Sequence, residues 1–367
     1  MDFSYLMPTR VFFGKNCIRA NGVHMGAHGK KALIVTGKQS ARACGALGDV
    51  CHALEKQSVA WSLYEKVLPN PSIENVREAA AMAREEAVDH VIGIGGGSPL
   101  DAAKAVAVLA VNDLDDDILF SGPYDVAPLP VLAVPTTAGT GSEVTPYSIL
   151  TDVRDKTKKN LSHPGLFPRA AFLDAAYLGG LPYHVTVHTG LDALSHAVES
   201  YLSVRSNEMS ALVAIHSIKV LGPCLKSLVT DQNPEEPIRE KLLYGSMLGG
   251  VAIAQTGTTM VHAMGYSLTF FNHMDHGKAN AVLLCEALRF GYGENKNRID
   301  HILDILGMKR IDDLQALFDS LIGRPEPCLD DELSLFTEKA MMSKSILNTR
   351  PQPTAGDIFD LYKRALG

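Results

Sequence analysis

Between residues 31 and 174, short runs of β-branched and aliphatic residues alternate with helical stretches, and this alternation restricts the fold more than any other feature of the sequence. The first run, residues 31–36 (KALIVT), is apolar throughout, as a strand buried on both faces requires. A helical stretch over residues 41–55 follows, then a strand over 58–64 and the turn Pro69-Asn70-Pro71-Ser72. Residues 73–87 (IENVREAAAMAREEA) combine strong helix formers with an early acid, which suits the positive end of the helix dipole. Residues 89–94 return to strand. Residues 99–111 return to helix, with Pro99 in the first turn, where its missing N–H costs nothing. Residues 131–134, 147–151, 159–162 and 170–173 are further strands. Helices between parallel strands predict an α/β domain with a doubly wound, mostly parallel sheet.

Beyond about Gly180 helical periodicity runs to the C-terminus, interrupted at Gly222-Pro223, at 234–237 and at 323–327. A chain of 367 residues can bury two cores. The expected division is an α/β domain over 1–179 and an all-helical domain over 180–367, with residues 1–12 as an extended arm or edge strand.

Two loops at predicted strand ends have the composition of phosphate and sugar sites. Gly95, Gly96, Gly97 and Ser98 follow the strand HVIGI and open a helix that includes Asp101. Glycines let a ligand approach the backbone, and a helix start offers free N–H groups. The run is not a G-x-G-x-x-G fingerprint. The second loop, PTTAGTGSEVT, carries the hydroxyls of Thr136, Thr137, Thr140 and Ser142 and ends at Thr145. In open α/β sheets ligands sit outside the carboxyl ends of strands, so two such loops together favour a nucleotide.

Residues 185–203 (VTVHTGLDALSHAVESYLS) read as a helix with no internal proline. Asp192 and His196 are four apart and lie on one face. With His262 and His276 they make a plausible ligand set for a divalent transition metal, although spacing also admits His188, His273 and Asp275.

Composition narrows the functional classes. Apolar content of 46% and charged content of 20% exclude a mainly disordered chain, and a net charge of −7 gives no support for nucleic-acid binding. Residues 1–16 lack the charged and apolar regions of a signal peptide, and the longest apolar segments are interrupted by Gly, Asp or Lys before reaching a membrane span. The six cysteines show no CxxC spacing. These features predict a cytoplasmic protein without a membrane or nucleic-acid partner.

Taken in order, GGGSPLDAAK, PTTAGTGSEVT, TGLDALSHAVESYLS and a His-x13-His pair followed by GKANA resemble the iron-containing (group III) alcohol dehydrogenases over nearly the whole chain. The resemblance implies a dinucleotide-binding α/β domain followed by a helical metal domain. It implies hydride transfer between a primary alcohol or aldehyde and NADP(H) or NAD(H). Asp192, His196, His262 and His276 correspond to the metal ligands, Gly95 to Ser98 to the pyrophosphate turn, and Thr136 and Thr137 to adenosine contacts. Asn70, Thr145 and Lys158 correspond to further dinucleotide contacts. On family grounds the metal is Fe²⁺, with Zn²⁺ compatible with the same donors. The chain departs from the family pattern twice. Tyr266 stands where many relatives have a histidine beside the nicotinamide, which leaves Tyr266, His273 or a water chain to pass the proton. The first strand ends in Gly37 and Lys38 without the acid common in NAD-preferring relatives, which favours NADP. A lyase of the dehydroquinate synthase type is the alternative reading. The N-terminal arm suits edge pairing in a homodimer.

Overall fold

A computed structural model describes residues 3–367. They fall into two compact units, one of residues 7–137 with 141–181 and one of residues 3–6, 138–140 and 182–367.

The first unit is built on six strands, β1 (Arg10–Phe13), β2 (Lys31–Gly37), β3 (Ala60–Val67), β4 (His90–Gly95), β5 (Val131–Pro135) and β8 (Ala170–Leu173). Every pairing is parallel, in the order β1-β8-β5-β4-β2-β3. β6 (Tyr147–Asp152) and β7 (Thr157–Ser162) form a separate antiparallel hairpin, so the expected mostly parallel sheet is wholly parallel. All six residues of β4 are buried, as a strand covered on both faces must be. The helices Ile73–Glu85 and Gly97–Leu109 bring alanines such as Ala79, Ala80, Ala102 and Ala103 into the core, where small side chains allow close packing.

From β2 the chain moves outward to β3 and then returns on the other side of β2 to β4. The strand order therefore reverses between β2 and β4, and the carboxyl ends at that switch point are Gly37 and Gly95.

Two local expectations are corrected. Residues 41–55 are two helices, Ser40–Ala43 and Ala46–Lys56, because Gly45 takes a left-handed φ of 86° between them. The helix Glu208–Leu228 continues through Gly222-Pro223. There close packing overrides an interior proline: a Cβ on Gly222 would lie 2.7 Å from Leu306 Cδ2, and Ile218, Leu221 and Leu225 are fully buried. That helix is also long and apolar enough to cross a membrane, by length and composition only. Here it packs against its helical neighbours, and Ser217 Oγ donates to Gly245 O at 2.7 Å.

The second unit is helical. Its central helix, Tyr183–Leu202, is buried without interruption from Gly190 to Tyr201. It packs against Glu208–Leu228, Glu236–Thr256 and His276–Ile305. A helix enclosed on all sides can place polar groups in a dry interior, but only where they are paired. Of the expected arm, Met1 and Asp2 lie outside the described residues. Leu6 is tied to Gln255, donating N–H to Oε1 at 3.1 Å and accepting from Nε2 at 2.8 Å.

His90, at the start of β4, is fully buried, and neither ring nitrogen has a hydrogen-bond partner. Burial, reinforced by His28, lowers its pKa to about 4. The unfolded chain binds this proton near pH 6.5, so the folded state loses stability as pH falls from about 6.5 towards 4. At pH 5 the loss from this group is about 2 kcal/mol relative to pH 7. In urea unfolding at the two pH values, His90→Leu is expected to shrink the difference by about that amount; an unchanged difference would exclude His90 as its source.

Candidate active site

The Tyr183–Leu202 helix presents Asp192 and His196 one turn apart. His262 comes from the helix Met260–Phe271, and His276 is the first residue of His276–Ile305. The structure brings the four together. His196 Nε2 and His262 Nε2 are 2.9 Å apart. Asp192 Oδ1 is 3.6 Å from His262 Nε2 and 3.9 Å from His276 Nε2. The donor atoms of Asp192, His196 and His262 all lie within 4.8 Å of one another. Asp192, His196 and His262 are buried, while His276 is partly open.

This approach depends on glycine. A Cβ on Gly277 would sit 1.8 Å from His188 O and 3.0 Å from Asp192 Cβ, so the helix bearing His276 reaches Asp192 only because residue 277 has no side chain. Gly265 similarly admits Asn280, whose Oδ1 would lie 2.2 Å from an added Cβ.

Asn280 Nδ2 donates to Asp192 Oδ1 at 2.9 Å and lies 3.1 Å from His262 Nε2 and 3.3 Å from His276 Nε2. Asn280 Oδ1 and His196 Nδ1 are buried without hydrogen-bond partners. Burial is the largest influence on Asp192, His196, Glu199 and His262 and opposes the charge on each. Even so, His196, His276 and His262 hold Asp192 far below the usual carboxylate range. The carboxylates of Glu199 and Asp192 push His262 up to about 9, whereas burial lowers His196. Three imidazoles and a carboxylate in such a pocket fit a divalent transition metal.

The other sequence candidates divide. Tyr266 stacks on His276, with ring centroids 5.4 Å apart and planes at 15°. His273 is exposed, with φ 53°, in the turn before His276. His188 and Asp275, the competing ligands, bond each other through Nδ1 and Oδ2 at 2.7 Å.

In the first unit the glycine turn is tight. Gly95 has φ 151°, and a Cβ there would lie 2.5 Å from Pro99 Cγ. The helix begins at Gly97, two residues earlier than expected, so Ser98 lies in its first turn. Ser98 Oγ accepts from Asn70 N at 3.1 Å, and Asn70 Oδ1 accepts from Lys158 Nζ at 2.8 Å. Asn70, Ser98 and Lys158 thus meet although they are distant in sequence. Thr136 N donates to Gly95 O at 2.9 Å, and Thr137 Oγ1 lies 3.0 Å from the Cβ position of Gly96. Thr140 groups with the helical unit. Asp101 is turned into the protein, where Oδ1 accepts from Ser142 Oγ at 2.6 Å and Oδ2 from Ile149 N at 2.9 Å.

Two residues were missed from sequence. Lys104 is fully buried and donates to Ser142 Oγ at 2.7 Å, Thr145 Oγ1 at 3.4 Å and Tyr147 O at 2.7 Å, which ties the second loop to the Gly97–Leu109 helix. Burial lowers its pKa to about 8 against the pull of Asp101 and Glu143. A lysine in an otherwise apolar helix stretch was the available signal. The second is Glu199, whose carboxylate bonds His262. Its spacing of seven from Asp192 and three from His196 puts it on the same helix face.

Residues 8–175 match the family model for iron-containing alcohol dehydrogenase, and residues 186–366 match that for the C-terminal region of the Fe-containing alcohol dehydrogenase family. The chain belongs to the iron-containing alcohol dehydrogenase family. It is 34% identical to the probable alcohol dehydrogenase EutG of Escherichia coli, over 86% of this chain and 80% of that one. It is 35% identical to 1,3-propanediol dehydrogenase of Klebsiella pneumoniae, over 83% and 79%. A crystal structure of an iron-containing alcohol dehydrogenase from Thermotoga maritima is 37% identical, with a TM-score of 0.93 and full coverage of both chains. Membership makes this chain an oxidoreductase of alcohols and aldehydes and disfavours the dehydroquinate synthase alternative.

In this family member, Gly277→Ala should force the two ligand-bearing helices apart. We expect the unfolding temperature to fall by roughly 5–10 °C and bound metal to be lost, as read by calorimetry and elemental analysis. A variant with native metal content would contradict the packing argument.

Proposed function

We propose that Asp192, His196, His262 and His276 hold one Fe²⁺ ion, and that the protein uses it to oxidise a primary alcohol or reduce an aldehyde with NADP(H) in preference to NAD(H). The convergence of Asp192, His196 and His262 at a buried point, with His276 Nε2 3.9 Å from Asp192 Oδ1, supports the ligand set most directly. The same donors accept Zn²⁺, Ni²⁺ or Co²⁺, and the choice of iron rests on the family. We further propose that 1–179 serves as the dinucleotide-binding domain and 180–367 as the metal-binding domain.

When bound, the metal supplies a Lewis acid for the substrate oxygen and the nicotinamide supplies the hydride acceptor or donor. The chain's own groups do the rest. Gly95 and Gly96 let Pro99 and Thr137 close tightly on the turn, and the turn opens a thirteen-residue helix whose N-terminal N–H groups and dipole favour a pyrophosphate. Ser98, Asn70 and Lys158 add a hydroxyl, an amide and a cation at the same place. Thr136, Thr137, Thr140, Thr145 and Asp101 shape the second loop, Asp101 by fixing it from beneath. Tyr266 holds the plane of His276 and offers a phenol for proton passage. The exposed His273 is the alternative proton carrier.

The preference for NADP rests on Gly37 and Lys38. β2 ends at Gly37 at the switch point, and the next side chain is an exposed cation with no acid to repel a 2′-phosphate. We also place the protein in the cytoplasm as a homodimer, without nucleic-acid or membrane partners. Six free thiols suit a reducing compartment, and β1 lies at the sheet edge.

His276→Ala should abolish alcohol-dependent cofactor reduction at 340 nm while dinucleotide affinity stays within about twofold. Equal loss of both would argue against a purely metal-binding role. Lys38→Glu should reverse the preference between NADP and NAD; unchanged ratios of kcat/KM would remove Lys38 from the selection. Elemental analysis of purified protein, with a panel of alcohols and aldehydes, identifies the metal and the substrate.

A further inference from the structure

Glu199 is outside the ligand set, yet it is almost fully buried beside it. Its Oε1 accepts from Thr259 N at 3.2 Å, Thr259 Oγ1 at 2.6 Å and His262 N at 3.3 Å. Its Oε2 accepts from His262 Nδ1. A neutral imidazole that donates through Nδ1 has its lone pair on Nε2. Nε2 is the atom that His262 turns towards His196 Nε2 at 2.9 Å and Asp192 Oδ1 at 3.6 Å. A buried negative charge is stable only when compensated, and Asp192 and Glu199 bring two negative charges to one pocket.

We propose that Glu199 is a positioning residue of the metal centre, fixing His262 in the tautomer that ligates through Nε2 and supplying the second negative charge that matches the pocket to a 2+ ion. The inference rests on the assignment of Asp192, His196, His262 and His276 as ligands. It predicts that Glu199 acts on metal affinity while touching neither metal nor substrate. A carboxylate behind a ligating histidine typically contributes 10–100-fold in metal affinity.

The test uses the full chain stripped of metal and titrated with Zn²⁺ against a chelator, and with Co²⁺ followed by its visible spectrum. Glu199→Gln keeps an acceptor towards Thr259 but removes the charge. We expect Zn²⁺ affinity to fall about 10–100-fold and the Co²⁺ spectrum to change, with the metal-free unfolding temperature and dinucleotide affinity preserved. Zn²⁺ affinity within threefold of the parent overturns the proposal. So does a parallel loss of stability and dinucleotide affinity, which marks a general structural role. If Glu199→Gln does not fold, Thr259→Val removes one of the bonds that hold Oε1, and a several-fold weaker Zn²⁺ affinity is expected; no change overturns the proposal. His276→Ala separates the two levels. Parental Zn²⁺ affinity in that variant defeats the ligand assignment itself. Loss there without loss in Glu199→Gln defeats only the role of Glu199.

Discussion

Bringing a carboxylate and three imidazoles, all but His276 buried, to one point is the constraint around which the helical unit is built. Each group carries a desolvation penalty, so none is stable there alone. Mutual compensation holds them: Asp192 beside three histidines, His262 between Asp192 and Glu199, and Asn280 donating into the centre. Compensation needs opposite charges within about 4–6 Å, and here those distances come with backbones that nearly touch. Gly277 against His188 O and Gly265 against Asn280 provide them. The electrostatics of the pocket therefore follow from two missing side chains.

The α/β unit solves a related problem with a single buried cation. The two loops at the carboxyl ends of β4 and β5 would be mobile if each stood alone. Lys104 and Asp101, one helical turn apart, bond Ser142, Thr145, Tyr147 and Ile149 and so clamp the second loop to the helix that the first loop opens. Glu143, buried with one oxygen unpartnered and pushed by burial up to about 7, adds a further acid to that interior. The same arrangement explains why Asp101, which stands in the glycine-rich motif, faces inward.

Much of this was legible in the chain because the signals were local and periodic. The strands at 31–37, 90–95, 131–135 and 170–173 matched their apolar runs closely, since a strand covered on both faces has little freedom in composition. The ligand candidates were legible through spacing on one helix and one motif. Helix interruptions were read less well. Gly45 divided a helix that periodicity joined, and Pro223 failed to divide one that composition split. In both cases the outcome turned on φ or on packing against a neighbour, neither of which is encoded in the local pattern.

By itself, the sequence determined the class of fold, the order of its elements and the chemical character of the candidate site, because these depend on hydrophobic period, turn residues and side-chain type. The tertiary structure alone decided which histidines share a point. His188 and Asp275 had the right chemistry but bond each other, whereas His262 and His276 turn inward. It alone revealed Glu199 and Lys104, whose importance comes from the partners brought to them from 60 and about 40 residues away. Contact between such distant positions is set by how helices and strands pack, and no one segment carries that information.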